Sequence, residues 1–285
     1  MFRKILFPTD FSEISLCVLE NCVPMLKAKE VIVVHVIEYV EDPDILESLQ
    51  MKAKEKMDKA VESLKEKGLD VRGFVTIGGI ATAISREARC PSIEILDRAY
   101  CEMVDAIVMP SKGRHARRVT TIGSTALNVV RRSRVPVMVV RCDYVDDKPT
   151  VSNCEDVFKR PLVALDFSPC SDVLISTLRD FEGEMETCTL LHVIDYGDVE
   201  ELEENIAKAK RALDIYAEKF GFELEKLIET GDPSKVIISK ALEKESTLIV
   251  LGKVGRSLLR ELLLGSVTTS VVKESNIPTL VVPCR

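Results

Sequence analysis

The stretch Gly252-Lys-Val-Gly255 is followed by nine residues and then by Gly265-Ser266. The apolar run 247–251 precedes it and a helical pattern of apolar residues follows Gly265, so the sequence predicts a strand, a loop and a helix start. Glycine lets backbone approach a ligand closely because it has no Cβ. The first N–H groups of the helix lack helical partners and favour an anion. The stretch therefore indicates either a phosphate-binding loop or a plain turn.

The same landmarks occur twice along the chain, in the same order. The glycine motif recurs at a spacing of 142 residues, and the Asp-Phe-Ser and His-Val-Ile motifs recur at spacings of 156 and 157. The paired positions are Gly113 and Gly255, Gly123 and Gly265, Pro91 and Pro233, Asp10 and Asp166, and His35 and His192. Two copies of one domain, joined head to tail, explain this order.

Together these motifs resemble the universal stress protein (UspA) family in a tandem form. The resemblance rests on Pro-Thr-Asp-Phe-Ser at residues 8–12, on His-Val-Ile in the second strand, and on Gly-x-x-Gly, nine residues, Gly-Ser. It covers nearly all of both halves. The second half carries the glycine motif intact, whereas Pro110 stands at the position of the first glycine in the first half.

Strands and helices alternate in each half, which predicts parallel βαβ units with right-handed crossovers. We therefore expect an α/β protein made of two tandem, doubly wound domains, each with a five-stranded parallel sheet. The resemblance implies a Rossmann-like fold of the adenine nucleotide alpha hydrolase type. The expected domains span residues 1–142 and 160–285, with a polar, turn-rich linker at 143–159.

Apolar runs rich in β-branched residues predict the strands. They lie at 4–8, 30–37, 71–77, 106–109 and 135–140, and in the second half at 160–165, 186–194, 222–229, 247–251 and 279–282. Predicted helices include 13–26, 44–67, 91–104, 123–132 and 199–220. Ser12 is expected to cap the first helix, and Gly68 and Gly221 to end the two long ones.

The resemblance implies an adenine-nucleotide site in the second half. There Asp166 would lie beside the base and ribose, and main-chain groups of Val193 would meet the adenine edge. Lys253 and Arg256 would supply positive charge to the phosphates. The alternatives are a helix-entry cap for Asp166, a core position for Val193, and ordinary solvated surface for the two cationic residues. The candidate residues are Leu165, Asp166, Val193, Gly231, Pro233, Gly252, Lys253, Gly255, Arg256, Gly265, Ser266, Val267 and Thr268.

A weaker site is expected in the first half, at Pro8, Thr9, Asp10, Val36, Gly113, Gly123, Ser124 and Thr125. Pro110 fixes φ and removes a backbone donor. The first half also has 11 extra residues within 79–90, and Arg89 aligns with Gly231. The basic run at 112–118 is either a patch for an anionic partner or a solvated loop. We therefore expect one tight site per chain and a second that is weak or empty.

The sequence contains no visible catalytic machinery. It lacks a Gly-x-x-x-x-Gly-Lys-[Ser/Thr] loop, a Gly-x-Ser-x-Gly elbow and a kinase signature set. The resemblance therefore favours a binder of ATP or AMP, with Mg²⁺ held by the phosphates, that acts as a sensor or switch in a stress response. The alternatives are a slow ATPase or phosphotransferase and a nucleotide-free scaffold of the same fold.

Histidines and cysteines do not suggest a metal centre. His35 and His192 lie in apolar strands and are expected to be hydrogen-bonded core residues, without partners at metal-ligand spacing. The nine cysteines form no Cys-x-x-Cys pair. Cys142 and Cys284 occupy equivalent positions after the last strands, and we expect buried or edge thiols there in preference to a bridge.

Composition limits the partners. A net charge of −7 and a pI of about 5.3 disfavour general nucleic-acid binding. No apolar run reaches the length of a membrane span, and the first residues lack a signal-peptide cleavage region, so we expect a cytoplasmic protein. In the family the last strands pair across a two-fold axis. The resemblance therefore implies an intrachain pseudo-dimer and leaves a further homodimer of the whole chain open.

Overall fold

The computed structural model describes residues 2–78, 91–113, 122–146, 148–151, 154, 156–195, 202–254 and 264–284. The chain divides into two units, residues 2–152 and 153–285. Each unit is an α/β structure whose main sheet has five parallel strands. The predicted fold class is therefore confirmed.

The first unit places its earliest strand in the middle of the sheet. Its strands are β1 (Lys4–Pro8), β2 (Glu30–Glu38), β3 (Asp70–Gly78), β4 (Ala106–Pro110) and β5 (Val137–Val140). They lie in the order β5-β4-β1-β2-β3. Its helices are α1 (Glu13–Asn21), α2 (Pro43–Glu66), α3 (Pro91–Cys101) and α4 (Ser124–Arg132). A short hairpin of β6 (Asp143–Val145) and β7 (Lys148–Thr150) completes the unit.

The second unit repeats this arrangement. Its strands are β8 (Pro161–Ala164), β9 (Thr189–Ile194), β10 (Glu225–Thr230), β11 (Leu248–Gly252) and β12 (Thr279–Val282), in the order β10-β9-β8-β11-β12. Its helices are α5 (Pro169–Arg179), α6 (Leu202–Ala217), α7 (Pro233–Glu243) and α8 (Ser266–Glu274). Strand order reverses at β8, which lies between β9 and β11, so a crevice opens at the carboxyl ends of β8 and β11.

The core forms because the strands are apolar on both faces, as a parallel sheet covered by helices requires. In the second unit, Leu162, Leu191 and Ile249 lie in three neighbouring strands and are fully buried. Ile237 of α7 and Val271 of α8 pack against them. These helices hold the sheet in the register that brings the strand ends together.

Several predicted boundaries were wrong for local reasons. Helix α1 ends at Asn21, not near residue 26, because Pro24 has no N–H to continue the helix. A 3₁₀ turn, Val23–Leu26, follows it and is capped by Lys27, which has φ +52°. Gly68 follows α2 with φ +82°, as predicted. Helix α6, in contrast, ends at Ala217, and Gly221 instead donates its N–H to Oε1 of Glu182 at 2.6 Å.

Part of the predicted linker is folded. The β6–β7 hairpin lies within residues 143–150. The thiol of Cys17 in α1 donates a hydrogen bond of 3.1 Å to the carbonyl oxygen of Pro149. A polar, turn-rich composition is as typical of a short hairpin as of a linker. Among the described residues, no helix has both the length and the apolarity needed to cross a bilayer.

Candidate functional site

The Asp-Phe-Ser motif forms a turn that fixes a carboxylate at the end of β8. Phe167 has φ +58°, which reverses the chain after Asp166. Oδ1 of Asp166 then accepts hydrogen bonds from the Ser168 N–H at 3.0 Å, the Ser168 hydroxyl at 2.7 Å and the Ser171 hydroxyl at 3.3 Å. The bond to the Ser168 N–H is an Asx-turn, so the helix-entry role weighed for Asp166 is present.

The first unit uses the same turn. Phe11 has φ +57°, and Oδ1 of Asp10 accepts the Ser12 N–H at 2.9 Å. Ser12 caps α1 as predicted, because its hydroxyl accepts the Ser15 N–H at 3.2 Å. A non-glycine residue with positive φ at both copies is uncommon. Its recurrence indicates that the turn geometry belongs to the domain and is not an accident of one copy.

A buried histidine supports each turn from the neighbouring strand. Nδ1 of His192 donates to the carbonyl oxygen of Leu165, and Nδ1 of His35 donates to that of Thr9, both at 2.7 Å. Each ring also contacts the phenylalanine of the turn: His192 stacks on Phe167 with a centroid distance of 4.2 Å, and His35 packs against Phe11 at 4.5 Å with the rings tilted by 37°. The prediction of hydrogen-bonded core histidines is confirmed.

The glycine stretch forms the opposite side of the crevice. After β11, the Lys253 N–H donates to the Val282 carbonyl at 2.8 Å, and the Gly265 N–H donates to the Lys253 carbonyl at 2.9 Å. The Thr268 hydroxyl donates to the Gly252 carbonyl at 2.7 Å. These bonds place the start of α8 at the carboxyl end of β11. Its first N–H groups have no partner within the helix and present partial positive charge there.

Gly265 itself does not need glycine dihedrals. It is the N-cap of α8 with φ −58° and ψ 149°, a conformation open to any residue. Gly123 has the same role at α4, with φ −66°. Gly231, in contrast, has φ +138° between β10 and α7, where an L side chain is strained. Conformational need for glycine therefore lies at Gly231, while Gly265 offers only the absence of a side chain.

A cavity of about 470 Å³ occupies the crevice of the second unit. It is large enough for a small organic ligand. Nine of the predicted site residues line it: Leu165, Asp166, Val193, Pro233, Gly252, Gly265, Ser266, Val267 and Thr268. Of the other candidates, Gly231 and Lys253 do not line it, and Gly255 and Arg256 lie outside the described residues. The side chain of Lys253 is buried, which corrects the alternative of a solvated surface lysine.

The cavity also contains residues that sequence reasoning missed. Phe167, Cys170 and Asp195 lie in or beside the predicted motifs, but Asn205 and Lys208 belong to helix α6. Asn205 and Lys208 are three residues apart and therefore share a helix face. This spacing was the one sequence feature that could have pointed to the pair. Helix α6 contains many charged residues, so Asn205 and Lys208 did not stand out from the others. Lys208 Nζ lies 2.7 Å from the Glu204 carboxylate.

The first unit brings its candidate residues together in part. Gly113 lies so close to Asp10 that a Cβ added to it would meet Oδ2 of the carboxylate. Thr9 is buried, and its hydroxyl oxygen accepts the Phe11 N–H at 3.0 Å. Pro8 ends β1, Val36 lies in β2, and Ser124 and Thr125 open α4 behind Gly123. The predicted insertion at 79–90 with Arg89, and the basic residues from 114 onward, lie outside the described residues.

The expectation of a free thiol at Cys284 is wrong in this structure. Cys284 forms a disulfide with Cys170, and their Cα atoms are 5.0 Å apart. Its counterpart Cys142 is a thiol, because the residue that corresponds to Cys170 is Ile14, whose carbonyl lies 3.8 Å from Sγ of Cys142. Burial raises the pKa of another thiol, Cys188, to about 12. In the described part of the chain, no cluster of three histidine, cysteine or acidic side chains suits a metal ion.

A doubly wound parallel α/β fold, used twice, with a cavity at the strand-order reversal, defines a Rossmann-like class of protein. The family model of the universal stress protein family matches residues 1–141 and 158–283. The chain therefore belongs to the universal stress protein family, in a tandem form.

Individual relatives agree with this assignment. A universal stress protein of Methanocaldococcus jannaschii is 30% identical over 166 residues, which cover 50% of this chain and 96% of the relative. Universal stress protein YxiE of Bacillus subtilis is 37% identical over 91 residues, 32% of this chain and 61% of the relative. The solved structure of a universal stress protein from Archaeoglobus fulgidus has a TM-score of 0.73 at 24% identity and covers 99% of this chain and 96% of its own. That structure supports the fold.

Proposed function

We propose that the second unit binds an adenine nucleotide, ATP or AMP, and that occupancy of this site acts as a switch in a stress response. The observation that carries the proposal is the cavity at the carboxyl ends of β8 and β11. It combines a fixed carboxylate, Asp166, with the N-terminus of α8 at Gly265 and Ser266. A sugar hydroxyl suits the first and a phosphate suits the second.

The two sides of the cavity suit the two ends of a nucleotide. Asp166 and Val193 lie together with the apolar side chains of Leu165 and Leu191, a setting that suits a base and its ribose. The first N–H groups of α8 and the hydroxyl of Ser266 suit a phosphate. Lys208 also lines the cavity and supplies a positive charge that the sequence did not point to. Any Mg²⁺ would be held chiefly by the phosphates.

Because the side chain of Lys253 is buried, the positive charge that a phosphate needs would come from another group. The N–H and carbonyl of Lys253 tie the glycine loop to β12 and to Gly265, whereas its side chain does not line the cavity. We therefore assign Lys253 a structural role in shaping the loop. Positive potential at the phosphate end would come from the helix dipole of α8, about half an elementary charge.

Location and assembly are part of the same proposal. We propose a cytoplasmic protein, in line with its acidic composition. On the family resemblance, we also propose that the two halves pair within one chain and that the whole chain forms a homodimer. Native mass spectrometry of the intact protein at several concentrations tests the homodimer: a concentration-dependent doubling of mass supports it, and a constant monomer mass contradicts it.

Calorimetric titration of a matched pair of variants tests the binding proposal. Asp166→Asn keeps an oxygen that accepts the Ser168 N–H but removes the negative charge, so the turn survives. We expect ATP affinity to fall by about tenfold in Asp166→Asn. The equivalent change Asp10→Asn in the first unit is expected to leave the tight site unchanged. Equal ATP affinities in folded Asp166→Asn and wild type would contradict the proposal.

A further inference from the structure

The Cys170–Cys284 pair joins the two sides of the cavity in the second unit. Cys170 is the second residue of α5, directly after the turn that holds Asp166. Cys284 follows β12, whose last residue, Val282, accepts the Lys253 N–H. The disulfide therefore connects the carboxylate side of the cavity to the segment that anchors the glycine loop.

The sulfur atoms also contact the loop itself. Cys170 lines the cavity and is 4% exposed. A Cβ added to Gly252 would meet Sγ of Cys170, and it would lie 3.5 Å from Sγ of Cys284. Gly252 thus has its open face against the two sulfurs, and any displacement of these sulfurs acts on the backbone at the end of β11.

We propose that Cys170 and Cys284 form a reversible dithiol–disulfide site that controls the Gly252–Lys253 side of the cavity. When the bond is reduced, the two sulfurs must separate from bonded distance to van der Waals contact. Cys170 is buried against Gly252 and Cys284 is partly exposed, so the separation moves Cys284 and, through the hydrogen bond from Lys253 to Val282, the Gly252–Lys253 backbone. In the disulfide state, the Gly252–Lys253 segment and the Asp166 turn are held together. In the dithiol state, the two can move independently.

The exchange chemistry is balanced with a small-molecule disulfide as the oxidant. Cys284 is partly exposed, so its thiolate is the one that attacks the external disulfide, forming a mixed disulfide and releasing one thiol. Cys170, as its thiolate, then attacks the sulfur of Cys284 and releases the second thiol. Two protein thiols become one disulfide, and the external disulfide is reduced to two thiols, which carry away the two protons.

The first unit provides an internal comparison. At the equivalent positions it has Ile14, Cys142 and Pro110 in place of Cys170, Cys284 and Gly252. It therefore has neither the second sulfur nor the open glycine face. A redox effect that arises from the pair should appear in the second unit and be absent from the first.

The chemical part of the proposal is tested on the intact protein. Samples equilibrated with oxidised or reduced glutathione are alkylated, digested and analysed by mass spectrometry. We expect a peptide pair linked through Cys170 and Cys284 under oxidising conditions and two alkylated cysteines under reducing conditions. Full alkylation of both cysteines in every buffer, or a link that resists reduction in the folded protein, overturns the proposal.

Control of the loop is tested by hydrogen exchange without any ligand. Reduction is expected to speed exchange in peptides that cover 248–254 and 279–284, by about fivefold or more. Cys284→Ser should show the fast rate in both buffers, whereas Cys142→Ser should behave as wild type. Equal rates for oxidised and reduced wild type in these peptides contradict the proposed control.

The effect on affinity rests on the proposed nucleotide site and has its own readout. Because a pre-organised loop loses less freedom on binding, reduction should weaken ATP binding by about fivefold in calorimetry. If ATP binds with equal affinity in the oxidised and the reduced protein, the disulfide does not control the site. If ATP, ADP and AMP bind in neither state while exchange still responds to reduction, the nucleotide proposal fails and the dithiol–disulfide site stands.

Discussion

Nδ1 of His192 donates a hydrogen bond of 2.7 Å to the carbonyl oxygen of Leu165, the residue directly before Asp166. A carbonyl oxygen only accepts, so this histidine carries its proton on Nδ1. The bond joins β9 to the end of β8, and the same bond joins His35 to Thr9 in the first unit. The histidine is therefore a structural support for the turn that presents the carboxylate.

Replacing His192 by leucine should destabilise the second unit, because the Leu165 carbonyl is left buried without its donor. We expect a loss of about 1–3 kcal/mol in the free energy of unfolding, measured by guanidinium denaturation. His192→Asn keeps an N–H near the position of Nδ1 and is the matched control. If both variants unfold at the wild-type denaturant concentration, the supporting role of His192 is wrong.

Gly231→Ala should also destabilise the second unit, for a conformational reason. Gly231 has φ +138°, where alanine is strained by about 1–3 kcal/mol. The control is Gly183→Ala, since an added Cβ there meets nothing within 4 Å and φ is not positive. Thermal denaturation should show a lower midpoint for the first variant and little change for the second. Equal midpoints would contradict the argument.

Gly265→Val should weaken adenine-nucleotide binding without unfolding α8. The φ of −58° accommodates valine, so the expected effect comes from a branched side chain at the phosphate end of the cavity. We expect a loss of more than about tenfold, or about 1.4 kcal/mol, in calorimetry. The equivalent variant Gly123→Val, in the first unit, should bind nucleotide at the tight site with wild-type affinity. Unchanged affinity in folded Gly265→Val would remove α8 from the proposed site.

Turnover of bound ATP should be weak or absent. The sequence offers no P-loop and no evident base to activate water, and the proposal assigns the cavity to binding. Release of inorganic phosphate from ATP by the purified protein should fall below the ordinary enzyme range of about 1–10³ s⁻¹. A rate within that range would favour the ATPase or phosphotransferase alternative.

The repeat and the strands were predictable because their signals are local. Apolar runs such as those around Leu162 and Ile249 specify buried parallel strands, and the recurrence of the motifs in the same order specified the duplication. The motif residues Asp166 and Gly265 follow two different strands, and the parallel topology alone brings them to one edge of the sheet. This rule predicted that the two motifs meet, whereas the roles of individual site residues came from the family resemblance.

Features that depend on contact between distant residues were not predictable. Nothing in the sequence pairs Cys170 with Cys284, which are separated by 114 residues and whose counterparts Ile14 and Cys142 do not match. Lys208 reaches the cavity because α6 packs against β9 and β10. The positive φ of Phe167 is set by the turn and runs against residue preference. Tertiary structure decides each of these.

The central claim is one tight adenine-nucleotide site per chain, in the second unit. Pro110 removes a backbone donor from the equivalent motif of the first unit, and the first half has 11 extra residues within 79–90. Calorimetric titration of the intact wild-type protein with ATP tests the claim most directly. We predict saturation at one ATP per chain, and loss of that site in Gly265→Val but not in Gly123→Val. Two equal, tight sites per chain, or no saturable binding of ATP, ADP or AMP, would contradict it.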